Sequence, residues 1–93
     1  MSKRVVAIST GVSYLDKNKW CVKDLKIGHR LDGTPFWFVS GLGCNFDNEE
    51  TAEDAGLIIA KTMKVPYFFN VKHGDRITPQ GMRALKAYDV IVK

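Results

Sequence analysis

The chain has 93 residues, of which 45% are hydrophobic and 26% charged, with 14 Lys and Arg against 10 Asp and Glu. These are ordinary values for one folded domain able to bury a modest core, and they exclude a disordered tail or a low-complexity fibre. No apolar run reaches the length of a bilayer span, and the "MSKR" start is not followed by a secretory apolar stretch, so a soluble, cytoplasmic protein with no membrane partner is expected.

Taken in chain order, residues 4–10, "RVVAIST", are short and β-branched and read as a first strand that can run on past Gly11 towards Tyr14. "LDKNKW" supplies a turn at 16–19. A second strand follows in "WCVKDLKIGHRL", and "DGTP" at 32–35 marks the next reversal. Residues 36–43, "FWFVSGLG", form a third strand that ends in glycine.

The stretch "NFDNEETAEDAG" at 45–56 then puts five carboxylates into twelve residues. An EF-hand reading fails on position: counted from Asp47, the bend glycine would be Ala52 and the closing bidentate glutamate Ile58. A helix start accounts for every residue type. Asp47 or Asn48 can cap free N–H groups, Asp47 and Glu50 have capping-box spacing, and Glu49, Glu50 and Glu53 sit where the helix dipole favours negative charge. Ala52, Ala55, Gly56, Ile59, Ala60 and Met63 then form one apolar stripe with Leu57 and Ile58 beside it, and Pro66 closes the element, which predicts a helix over 48–64. "YFFNVKH" at 67–73 reads as a fourth strand. In "TPQGMRALKAY", Thr78 is a cap and Pro79 the first helical residue, with Met82, Leu85 and Tyr88 facing inward before an apolar "VIV" tail.

The resulting order is β-β-β-α-β-α. It implies an α+β fold in a single domain over 1–93: an antiparallel sheet of three to four strands, one long helix packed on it and a short C-terminal helix. Setting aside the five carboxylates at the helix start leaves five acidic residues against 14 Lys and Arg, about +9 for the rest of the chain. The strands carry much of that charge. Along the second strand Cys21, Leu25, Ile27, His29 and Leu31 share one parity, and Trp20, Val22, Asp24, Lys26 and Arg30 the other. Phe36 and Phe38 oppose Trp37 and Val39 on the third. One aromatic set belongs under the helix. An open face that presents Trp37 or Trp20 among Lys19, Lys23, Lys26, Arg30 and Lys72 suits phosphates and bases.

Catalytic signatures are weak. His29, His73, Cys21 and Cys44 have neither metal-ligand nor nucleophile spacing. "SGLGCN" is not a phosphate loop, because Glu49, Glu50 and Glu53 would repel an anion at the following helix start. The two cysteines lack C-x-x-C spacing and are expected as buried or half-buried free thiols, a single bridge being the alternative.

Gly11, Val12, Lys19, Trp20, Leu42, Gly43, Phe46, Asp47, Glu50, Ala52, Ala55 and Ala60 fit a pattern of a G-V start, a K-W strand, an L-G and an F-D-x-x-E-x-A helix entry. Over about residues 11–64 the chain therefore resembles the APETALA/ethylene-response-factor type of DNA-binding domain. That resemblance implies a three-stranded sheet inserted in a DNA major groove, with strand Lys, Arg and Trp making the contacts. In size and element order the chain is also similar to small phage proteins that inhibit host polymerases, nucleases or CRISPR complexes. The expectation is a non-enzymatic binding protein without cofactor or metal. DNA is its leading partner, through Lys19, Lys23, Lys26, Arg30 and Trp37, with Lys72 and Arg76 as a second patch. A phage-encoded inhibitor that blocks a host protein complex is the alternative.

Overall fold

The computed structural model describes residues 4–88. Six elements follow one another: β1 (Ala7–Val12), β2 (Trp20–His29), β3 (Pro35–Phe46), α1 (Glu49–Met63), β4 (Tyr67–Phe69) and α2 (Pro79–Ala87). The fold is α+β, as the sequence implies, with one long and one short helix and a four-stranded sheet in the order β3-β2-β1-β4. The β1–β2 and β2–β3 pairs are antiparallel. β4, however, lies parallel to β1, with Ile8 opposite Tyr67, so the sheet is mixed rather than a purely antiparallel meander. The reason is α1, which returns the chain along the sheet so that β4 starts in the direction of β1.

Strand register defines two faces. Ile8, Thr10, Val22, Asp24, Lys26, Phe36 and Phe38 share one; Ala7, Ser9, Gly11, Cys21, Lys23, Leu25, Ile27, Trp37 and Val39 share the other. α1 packs on the first face through buried Ala52, Gly56 and Ala60. Gly56 permits the close approach: a Cβ there would stand 3.0 Å from Thr10 Cγ2 and 3.1 Å from Tyr67 Cε2. Met63, expected in the apolar stripe, is exposed with Leu57 and Ile58. The helix is capped by Asn48, whose Oδ1 accepts from the Thr51 N–H at 2.8 Å, and not by Asp47.

The second face is covered by the chain after β4. The expected strand over 67–73 stops at Phe69, because Asn70 takes a left-handed conformation (φ 56°) and turns the chain out of the sheet. Val71 N–H then donates to the buried Ser9 hydroxyl at 3.2 Å. Residues 74–77 reach the opposite edge of the sheet and pair with β3: Gly74 N–H to the Trp37 carbonyl, Trp37 N–H to the Asp75 carbonyl, both 2.8 Å, and Ile77 N–H to the Pro35 carbonyl at 3.2 Å. This strap delivers α2. Thr78 Oγ1 accepts from Gly81 N–H, Pro79 opens the helix, Leu85 is buried and Met82 half-buried. Tyr88, expected to face inward, is exposed. The apolar tail at 90–92 lies outside the described residues.

Cys21 and Cys44 form a disulfide, which corrects the expectation of two free thiols. β3 carries extra residues here: Val22 faces Gly43 while Lys23 faces Gly41, and Trp20 faces Phe46. These bulges turn Cys44 towards Cys21, a placement that linear spacing does not express.

Candidate nucleic-acid interface

The helix-bearing face is only partly covered. α1 packs chiefly against β1 and β2, leaving the β3 side of that face open. Lys26 stands directly opposite Phe38 there, and Gly28 opposite Phe36. The tip of the Phe36 ring lies against Gly28, where a Cβ would be only 2.5 Å from Cζ, so glycine is what allows the aromatic to rest on the strand. The Arg30 guanidinium sits 5.2 Å from the centre of that ring, and its Nη2 donates to the Gly74 carbonyl at 2.9 Å. Arg76 pairs with Phe36 across the sheet edge, which puts the two side chains on the same face. The His73 ring closes the edge. Its Nδ1 accepts from Val39 N–H at 3.1 Å, and it meets Phe38 edge-on with centroids 4.9 Å apart.

Lys26, Arg30 and Arg76 are thus brought together around Phe36 and Phe38, of which Phe38 is 42% exposed and Phe36 half-buried. Arg30 and Arg76 are exposed and Lys26 half-buried. Asp24 shares this face two residues before Lys26, and its Oδ1 is buried without a hydrogen-bond partner among the described residues.

The remaining expected site residues lie elsewhere. Trp37, expected among the cations of an open face, is 4% exposed; it packs against Phe68 at 5.2 Å and lies beside Gly81 of α2. Alternation along β3 separates Trp37 from Phe36 and Phe38 without fixing which set faces out, and the largest ring lies inside. Lys23 is buried, at 6% exposure, on the opposite face from Lys26. Its burial holds the ammonium pKa below the usual lysine value. Lys19 forms an ion pair with Asp47 at the foot of α1; that hydrogen bond and the Asp47 charge raise its pKa, and the same contact lowers that of Asp47. Lys72 is exposed on the strap, its N–H donating to Asp75 Oδ2. Phe36 and Phe38 were missed as outward residues. The available signal was Gly28, a glycine inside a long strand with a large aromatic as its cross-strand neighbour.

Among the described residues no three His, Cys, Asp or Glu side chains gather as a metal site, and no helix is long and apolar enough to cross a membrane. No protein-family model, curated protein or solved structure matches the chain.

Proposed function

We propose that the protein is a non-enzymatic DNA-binding protein whose contact surface is the β3 side of the helix-bearing face. The observation that carries this reading is the convergence of Lys26, Arg30 and Arg76 around an exposed Phe38 and a half-exposed Phe36. Cations at the rim take phosphates, while the aromatic pair offers a flat apolar platform to a base or a sugar. The partial resemblance of residues 11–64 to a sheet-based DNA-binding domain points the same way. Lys19, a strand residue of that pattern, is paired with Asp47, and Trp37 is buried, so neither belongs to this surface, which moves the contact towards the β3 edge.

Polarisation titrations with duplex and single-stranded DNA at two salt concentrations test the reading. Neutralising Lys26, Arg30 or Arg76 with Gln is expected to lower the slope of log affinity against log salt by roughly one unit each. Phe38→Ala should reduce affinity with little change in slope. Asp24→Asn, which removes a carboxylate two residues from Lys26 on this face, should tighten binding. No binding even at low salt would overturn the proposal.

A second reading has its own support in α1, where Leu57 and Ile58 stand exposed at 44% and 66%. Together with the aromatic and arginine cluster they would serve a host protein complex as partner, in the manner of an inhibitor. A discrete complex with one host protein that survives nuclease treatment, with no DNA affinity, would favour this alternative.

A further inference from the structure

The other face of the sheet holds a buried lysine between two clefts. Lys23 projects from β2 under the strap, with its Nζ 4.7 Å from the centre of the Tyr14 ring. Among the described residues it has no carboxylate partner. On one side lies an apolar cleft of about 150 Å³ lined by Leu15, the Cys21–Cys44 bridge, Val39 and Gly41. On the other is a more polar cleft of about 490 Å³ between sheet and strap, lined by Asn70, Lys72 and His73. Tyr14 and Lys23 border both. His73 Nδ1 already accepts from Val39 N–H, which leaves its Nε2 as the ring's donor.

The Lys23 ammonium has no carboxylate partner among the described residues, and the side chains that line the two clefts are neutral or cationic, with Asn70 Oδ1 a neutral acceptor on the same side of Gly11 as Lys23 Nζ. We infer that Lys23 is the anchor of a binding site for a small organic carboxylate, whose anionic end meets Lys23, Asn70 and Lys72 while its apolar body enters the cleft beside the disulfide. A space of that size accepts one aromatic ring or a short alkyl chain. The ring of Tyr14 would lie over the junction of the two halves. Lys23 does not belong to the DNA-contacting surface proposed above, and the two sites lie on opposite faces of β2.

Sodium benzoate is a suitable probe, with benzylamine as the same ring without the negative charge and acetate as the charge without the ring. In an amide-resolved NMR titration of the whole chain, benzoate should produce saturable shifts at Gly11, Gly41, Asn70 and Lys72. Lys23→Met, which keeps the length of the side chain and removes its charge, should weaken benzoate by roughly tenfold or more while its spectrum stays that of a folded protein. Lys72→Gln should weaken it less. Benzylamine binding as tightly as benzoate, acetate matching benzoate, an unchanged affinity in Lys23→Met, or the absence of saturable shifts would each overturn the inference.

Discussion

The two faces of the β2–β3 hairpin put neighbouring residues to opposite uses. On the helix-bearing face Lys26 and Phe38 stand opposite each other and reach solvent; on the strap-covered face Lys23, three residues earlier, is buried, and so is Trp37, the residue just before Phe38. Composition does not separate these pairs. What separates them is the cover: α1 stops short of β3 on one side, and the strap and α2 close the other. A cation or an aromatic ring on a strand becomes surface or core according to a single step of parity.

The sharpest way to break this contrast is to shorten the two adjacent aromatics. Trp37→Ala should cost about 3–5 kcal/mol in urea denaturation, whereas Phe38→Ala should cost less than about 1 kcal/mol. Equal losses would mean that the two faces of β3 are equally buried, and a larger loss for Phe38→Ala that its inside and outside are exchanged. The disulfide is a second difference between the faces, since Cys21 is buried on the strap-covered side. It closes a loop with a sequence separation of 23 residues, so reduction should lower stability by about 3 kcal/mol, read as a shift of the denaturation midpoint with and without reductant.

The lysine pair sharpens the comparison through pH. The lowered pKa of Lys23 in the folded chain means that the unfolded chain binds its proton more readily. Stability should therefore rise with pH between the depressed folded value and the ordinary lysine value of about 10.4. Lys23→Met should be more stable than the parent at neutral pH, with an advantage that shrinks as the pH approaches that upper limit. The smallest effect is expected at Lys19. Its pKa is raised and that of Asp47 lowered, so their modest contribution is present between the two titrations, fading as pH rises through the lysine or falls through the carboxyl value. Lys19→Met should lower stability slightly in the middle of the pH profile and leave the two ends, where the pair is already lost, nearly unchanged.

Much of the fold was legible because helix ends announce themselves locally. Asn48, the acidic first turn and Pro66 bracket α1 to within a residue of the expected limits, and Thr78-Pro79 opens α2 where it was expected. Residues 70–73 read as strand from the sequence because the evident breakers, Gly74 and Asp75, come only after them; the left-handed Asn70 ends the pairing, and asparagine tolerates that conformation without requiring it. The parallel β1–β4 pairing and the Cys21–Cys44 bridge are both non-local, and depend on where α1 returns the chain and on two bulges in β3. At the candidate interface Lys26, Arg30 and Arg76 were identifiable as cations of the strands and strap. Trp37 was not recognisable as core, because alternation along β3 is satisfied equally well with either aromatic set outward.

The central position of β1 bears on how the chain is made. One neighbour of β1, β2, follows at once, but the other, Tyr67–Phe69, is joined only after the whole of β3 and α1 have been synthesised. Until then Ile8, Ser9 and Thr10 present an open row of backbone donors and acceptors, the kind of edge on which a second nascent chain can add a strand. Closure of the sheet then joins positions far apart in sequence, which slows folding relative to a local helical hairpin. A ribosome stalled before residue 67 would hold a chain ready to pair with its neighbour, and the short parallel strand at Tyr67 acts as a late stopper against that route to aggregation.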